Sequence, residues 1–264
     1  MNSTAETVHV LKDAWKLMVE RLPNGKVEQA EGVSTFLGHV PLPFFNLSMN
    51  DCPISDTGDL RRMLAIAMQR AASCEHPSMC ALCEDWAPHD WESVAAEYGL
   101  VPALKMTGMA VEQIKPPRRP APAIEFRRVT NESMARELAM LNAQGYGMPA
   151  ELFDCISNMQ IWHEDSYAFV GYSNGIPVTA AAALPVAGTV YIALVATPPE
   201  EQGKGYAEAV VRHTIAEGQK AMGFKRATLH ATDMGQPVYN AIGFEPSARF
   251  VLLMQALKEG TSGH

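Results

Sequence analysis

Between Ala123 and Met254 the apolar positions change their spacing several times, and each change marks an element. Residues 123–129 (AIEFRRV) read as a strand. Met134, Leu138 and Leu141 then recur at helical spacing over 131–142, with Thr130 or Asn131 as the N-cap. Ser166–Gly171, Ile176–Leu184 and Thr189–Ala196 read as three consecutive strands, because Asn174-Gly175 and Pro185–Gly188 supply turn residues between them. A glycine-bearing loop (TPPEEQGKG) runs into a helix whose inner face is read at Ala209, Val210, His213 or Thr214, Ala216 or Glu217, and Ala221. Phe224–Thr232 reads as a strand, Gln236–Ile242 as a short helix and Ala248–Met254 as a last strand. This order is mixed α/β, with a strand–loop–helix at its centre, a topology suited to binding phosphate.

The first part of the chain is less regular. Asp59–Ala72 predicts an amphipathic helix with Leu60, Met63 or Leu64, Ala67 or Met68, and Ala71 on one face, and Glu92–Tyr98 a short helix. Glu97-Tyr-Gly-Leu-Val-Pro-Ala-Leu-Lys-Met106 runs parallel to Ala241-Ile-Gly-Phe-Glu-Pro-Ser-Ala-Arg-Phe250, each copy ending a helix on glycine and turning through proline into an apolar strand. The placement of these copies suggests a duplicated fold. Between the halves, Lys115-Pro-Pro-Arg-Arg-Pro-Ala-Pro-Ala123 holds four prolines in nine residues and reads as a semi-rigid linker. The expected organisation is therefore 1–114, a linker at 115–123, and 124–264.

Composition narrows the function. The 264 residues are 47% hydrophobic and 19% charged, with net charge −8, which excludes disorder and argues against a nucleic-acid or anionic-lipid partner for the surface as a whole. The acidic balance favours a cationic or amine-rich acceptor. Five cysteines are too few, and odd in number, for a disulfide scaffold, so a cytoplasmic setting is expected. The N-terminal residues carry no apolar core of signal-peptide length. Ser166–Pro199 lacks Asp, Glu, Lys and Arg, but its Asn-Gly, Pro and Gly breakers cut it into strands rather than a membrane span.

The chemistry concentrates at Gln202-Gly203-Lys204-Gly205-Tyr206-Ala207-Glu208, between an apolar strand and an amphipathic helix. Glycines at 203 and 205 allow unusual dihedrals and close approach. The helix start offers unpaired N–H groups and the positive end of a dipole to a diphosphate, with Lys204 as added charge. An ordinary glycine-containing turn is the alternative at this point.

The pattern Gln-x-x-Gly-x-Gly/Ala, preceded by Val195-Ala-Thr-Pro-Pro-Glu-Glu, resembles the acetyl-coenzyme A loop of the GCN5-related N-acetyltransferases (GNAT). About thirty residues on, Val238-Tyr239-Asn240-Ala241-Ile242-Gly243-Phe244 is similar to that family's Leu-Tyr-x-x-x-Gly-Phe segment. The resemblance covers roughly 124–257. It implies an acyl-CoA N-acyltransferase-like fold, with the first half as a degenerate second copy that shapes the acceptor cleft. It also implies an acetyl-CoA-dependent transfer of an acetyl group to a primary amine by direct attack. Val195, Ala196 and Thr197 correspond to the end of the splayed strand that pairs with pantetheine, and Gly203 to Glu208 to the segment around the pyrophosphate. Gln202 stands where many members carry arginine. Tyr239 corresponds to the tyrosine that donates a proton to the departing thiolate.

Two features depart from the family. Thr189–Ala196 and Ala227–Thr232 hold no carboxylate to act as base, and Asp233 stands where many relatives have asparagine. His230, Asp233, His163, Glu164 and Asp165 remain candidate bases, unless the amine arrives already neutral. No cysteine lies in the matched site, so a covalent acyl-enzyme is not expected. Asp56-Thr-Gly-Asp59 replaces the glycine loop in the first half, which predicts one cofactor site per chain. Cys74, His76, Cys80, Cys83 and His89 fall within sixteen residues, but Met79–Glu84 reads as a strand that would point Cys80 and Cys83 to opposite sides, so no metal is expected. Acceptors from small amines to peptides stay open. Two alternatives stay open as well: a non-catalytic CoA-binding sensor, and a Cys/His metal-binding module fused to the acetyltransferase-like half.

Overall fold

The computed structural model describes residues 3–162 and 164–256. In chain order its helices and strands are α1 (Thr4–Glu20), β1 (Lys26–Ala30), β2 (Val33–Leu37), β3 (Asn46–Asn50), α2 (Thr57–Ala71), β4 (Met79–Cys83), α3 (Trp91–Glu97) and β5 (Leu100–Val111). After the proline-rich segment come β6 (Glu125–Arg128), α4 (Glu132–Tyr146), α5 (Asp154–Ser157), β7 (Tyr167–Ser173), β8 (Ile176–Val186), β9 (Thr189–Ala196), α6 (Tyr206–Met222), β10 (Ala227–Thr232), α7 (Gln236–Ile242) and β11 (Glu245–Gln255).

All of these strands join one mixed sheet in the order β1-β2-β3-β4-β11-β5-β10-β9-β8-β7-β6. The order reads nearly the same from both ends once β1–β4 are matched to β7–β10 and β5 to β11. The duplication expected from the glycine–proline repeat is thus a property of the whole sheet. The two repeat segments meet at its centre, where β5 and β11 pair antiparallel from Glu245↔Ala110 to Gln255↔Leu100. Each of these strands has crossed to the other half: β5 also pairs with β10, and β11 with β4. The boundary at 115–123 therefore separates the copies along the sequence but not in space.

The alternation of side chains fixes two faces. Ala180, Ala182 and Leu184 belong to a core shared with α1 and α4, while Ala181 and Ala183 face α6. The alanines let helices approach closely on both sides. A Cβ on Gly218 of α6 would stand 2.7 Å from a Val190 methyl and 3.0 Å from Ala183 Cβ, so glycine is needed there. The core under α1 and α4 runs across both halves, whereas the opposite face holds two separate clusters, one under α6 and α7 and one under α2 and α3.

The hydrophobic pattern located most of the second half well. Asn131 caps α4 through its side chain to the Met134 N–H at 3.0 Å. Asn174-Gly175 and Ala187-Gly188 take left-handed conformations at their hairpin tips, as two-residue turns between twisted strands require. The sequence pattern did not identify α1 or β1–β3. No helix among the described residues is long and apolar enough to cross a membrane, and Ser166–Pro199 forms strands and turns within the sheet.

Candidate functional site

The cleft opens where two parallel strands part. β9 and β10 pair only from Val190↔Ala227 to Ile192↔Leu229, yet β9 continues to Ala196 and β10 to Thr232. A bulge accompanies the parting: β9 advances three positions, from Ala193 to Ala196, while β8 advances two, from Ala182 to Ala180. Leu194 sits in the bulge at φ +51°, a left-handed conformation rare for a leucine. Asn142 of α4, fully buried, ties the bulge down by donating from Nδ2 to the Leu194 carbonyl at 3.3 Å and to the Leu138 carbonyl at 2.9 Å. Gly145 brings α4 against the same place, since a Cβ there would stand 3.1 Å from Ala196 Cβ. Neither residue carries a sequence signal that separates it from ordinary helix positions.

The glycine loop follows. Gly203 and Gly205 take φ of +75° and +84°, so both need the freedom that glycine has. Gly205 is also the N-cap of α6 and supplies no side chain to the helix N–H groups, leaving that end of the helix uncapped by the protein. A Cβ on Gly203 would meet nothing within 4 Å. The segment 203–205 is open, not packed beneath side chains.

One cavity of about 420 Å³ connects these parts. Val195, Ala196, Thr197, Gln202, Gly203, Gly205, Tyr206, Ala207 and Glu208 line it, and so does Tyr239 from α7. The structure thus brings together all of the residues matched to the cofactor loop, the splayed strand and the proton donor except Lys204, whose ammonium instead pairs with Glu201 at 2.8 Å. Gln202 turns back to donate to the Thr197 carbonyl at 3.1 Å, Tyr206 donates to Ser173 Oγ at 3.1 Å, and Glu208 pairs with Arg212 at 2.8 Å. The linker passes the same place, with Pro122 Cδ 3.9 Å from the point a Gly205 Cβ would occupy. Tyr239 is buried edge-to-face against Phe244, with ring centroids 5.9 Å apart, and burial raises its pKa above the ordinary tyrosine value. It stays protonated at neutral pH. Gly235 makes room for it, because a Cβ there would stand 3.0 Å from Tyr239 Cε2.

Of the residues raised as bases, His230 alone lines this cavity; Asp233 and Glu164 are exposed, Asp165 is held by Arg21 at 2.8 Å, and His163 lies outside the described residues. His230 Nδ1 is 3.2 Å from the Tyr191 hydroxyl, and its buried Nε2 makes no hydrogen bond of ordinary geometry, although the Thr7 backbone lies near. Burial, only partly offset by that backbone, lowers its pKa to about 3 and holds the ring neutral.

The cysteines do something different. Cys80 and Cys83 are buried on β4 in separate cores, Cys80 under α2 and Cys83 on the α1 face, and burial pushes both thiols up to about 12. Among the described residues no group of three or more His, Cys, Asp or Glu could hold a metal ion. Cys155, in α5, is likewise pushed up to about 12 by burial, so its thiol is a poor nucleophile.

The first half lacks an equivalent opening. β3 ends at Asn50, one residue beyond its last pair with β4, and Asn50 Oδ1 accepts the Cys83 N–H at 3.2 Å. The Ile54 N–H then reaches the Trp86 carbonyl at 2.9 Å. At α2 the Asp56 carboxylate accepts the Asp59 N–H at 2.9 Å, so the helix start is capped by an anion.

Comparison with known proteins agrees with this geometry. Solved structures share the fold over nearly the whole chain. A GCN5-related N-acetyltransferase from Kribbella flavida is 18% identical, with TM-score 0.71 over 97% of this chain and 96% of that one. Another from Sphaerobacter thermophilus is 13% identical, with TM-score 0.61 over 95% and 90%. A tandem GNAT protein from the clavulanic acid biosynthesis pathway is 11% identical, with TM-score 0.55 over 97% and 98%. No curated protein matches the sequence. Residues 135–244 match the model of the acetyltransferase (GNAT) family, and family and fold together support acyl-CoA-dependent acetyl transfer in general. The GNAT match is thus confined to residues 135–244, while the chain as a whole shares its fold with a tandem GNAT protein.

Proposed function

We propose that the chain transfers the acetyl group of acetyl-CoA to the amine of a small acceptor, by direct attack in a ternary complex. The observation that carries this reading is the parting of β9 from β10 beside an uncapped helix start at Gly205. The edge of Val195, Ala196 and Thr197 suits the amide groups of pantetheine as an added strand. The N–H groups at the start of α6 suit the pyrophosphate, which the helix dipole favours. Amides of the bulge around Leu194 are candidates to polarise the thioester carbonyl.

In the reaction the amine lone pair forms the new N–C bond while the C–S bond breaks and its electrons go to sulfur. Tyr239, kept protonated by burial, supplies the proton that sulfur needs, and the amine's lost proton restores the balance. Holding both reactants in one cleft supplies the rest of the rate. The five free cysteines suit the reducing conditions of a cytoplasmic enzyme.

The test is release of free coenzyme A thiol by the full chain from acetyl-CoA with a panel of amines. Turnover with at least one amine is expected. Tight acetyl-CoA binding with no thiol release from any amine would instead make the chain a coenzyme A sensor.

A further inference from the structure

A second cavity, of about 100 Å³, adjoins the cofactor cleft and shares Tyr146, Ile192–Leu194, His230 and Thr232 with it. The first half of the chain builds most of its remaining wall, with Trp15 from α1, Leu42 and Phe44 from the segment before β3, and Met106 from β5. Among the described residues no Asp, Glu, Lys or Arg lines it. The titratable side chains on its wall are all neutral at pH 7: burial holds Tyr146 and Tyr191 above the ordinary tyrosine range and His230 down at about 3. The indole N–H of Trp15 is already given to the Phe44 carbonyl, and the Tyr191 hydroxyl to the His230 pair. The other ring nitrogen of His230, Nε2, lies toward Gly108 and the Thr7 backbone, neither of which lines the cavity.

On the reading of the cleft given above, we infer that the acceptor is a single-ring aromatic amine that meets the thioester uncharged. An ammonium group entering this wall would lose its water and find no counter-charge, a cost of several kcal/mol. An aromatic amine is already neutral at pH 7 and brings an apolar ring for the aromatic wall. An apolar cavity of about 150 Å³ accepts benzene; this one, at about 100 Å³, is smaller and takes a single ring only together with the cleft it adjoins. The net charge of −8 does not extend to this cavity, so the cationic acceptor that the composition favours is not the one that fits. The step balances without a separate base: the nitrogen gains the acetyl carbon and loses one proton, sulfur gains one, and the products are an N-aryl acetamide and the free thiol. An alkylammonium would first have to shed a further proton, and the cavity has no carboxylate to take it.

The experiment uses the full chain at neutral pH. Acetyl-CoA binding is measured first by calorimetry, then thiol release with aniline, benzylamine and spermidine. The expected kcat/KM for aniline exceeds that of both alkylamines at least tenfold. Acetyl-CoA binding together with equal or greater rates for benzylamine or spermidine, or with no rate for any of the three, overturns the inference. Absence of acetyl-CoA binding overturns the reading of the cleft and the inference with it. Thr232→Asp adds a carboxylate at the junction of the two cavities, and its oxygen can keep accepting the Gly235 N–H that Thr232 Oγ1 accepts at 3.3 Å. The aniline-to-benzylamine ratio should fall at least tenfold in that variant; an unchanged ratio contradicts the inference.

Discussion

β3 and β9 occupy matching places in the two halves, and each pairs in parallel with its neighbour over three residues. Beyond that point they differ. β3 stops, and Asn50 and Ile54 tie it to the segment that follows β4, while β9 bulges at Leu194 and runs on for four residues with no partner in β10. The helices behind them differ in the same sense. α2 begins with an anionic cap at Asp56, and α6 begins with Gly205 and no side-chain cap. One fold thus yields a closed, anion-filled seam or an open cleft, depending on a bulge, two glycines and a capping carboxylate. The closed half still borders the site, because it walls the cavity beside the cleft with Trp15, Leu42, Phe44 and Met106.

The largest effect expected from breaking this contrast is at the glycine loop. Gly205→Glu puts a carboxylate and a strained φ of +84° where the helix start should meet phosphate, and acetyl-CoA binding should vanish from calorimetry. Asp56→Gly in the first half should leave that affinity unchanged. Next is Tyr239→Phe. Loss of a proton donor should lower kcat by roughly 10²-fold with acetyl-CoA affinity within about twofold. An equal loss of affinity would make Tyr239 a packing residue.

Asn50→Ala tests the closed seam. It leaves the Cys83 N–H and the Cys52 carbonyl, which Asn50 Nδ2 reaches at 3.1 Å, without their partner. Denaturant unfolding should show a loss of about 1–3 kcal/mol, with the number of acetyl-CoA sites unaltered. The smallest effect at neutral pH concerns His230, which shows itself only on acidification. Its folded pKa of about 3 lies below the ordinary 6.5, so the unfolded chain binds more protons between those values. The stability this group contributes is full above pH 6.5 and is lost as pH falls toward 3. Thermal unfolding of His230→Gln should therefore be less acid-sensitive than the parent across that window.

The open half was the legible one. Its hairpins, Asn131 cap and glycine loop are short-range devices written in a few adjacent residues, and Thr189–Ala196 falls at the strand limits expected from them. The Leu194 bulge was not legible, because it is held by Asn142 and Gly145 from a helix some fifty residues earlier. The first half hid for a related reason. β2, β3 and β4 are buried on both faces, so their apolar positions do not alternate, and their pairing depends on a strand from the end of the chain. The glycine–proline repeat disclosed the duplication but not the exchange of β5 and β11, since nothing local decides which half a strand completes. The cavity beside the cleft has the same origin: its wall is assembled from α1, the segment before β3 and β5, and no single stretch of sequence describes it.

Counting acetyl-CoA sites by calorimetric titration of the full chain tests the contrast between the halves most directly. The account predicts one site per chain, lost in Gly205→Glu and kept in Asp56→Gly. Two sites, or heat that survives Gly205→Glu, would contradict it.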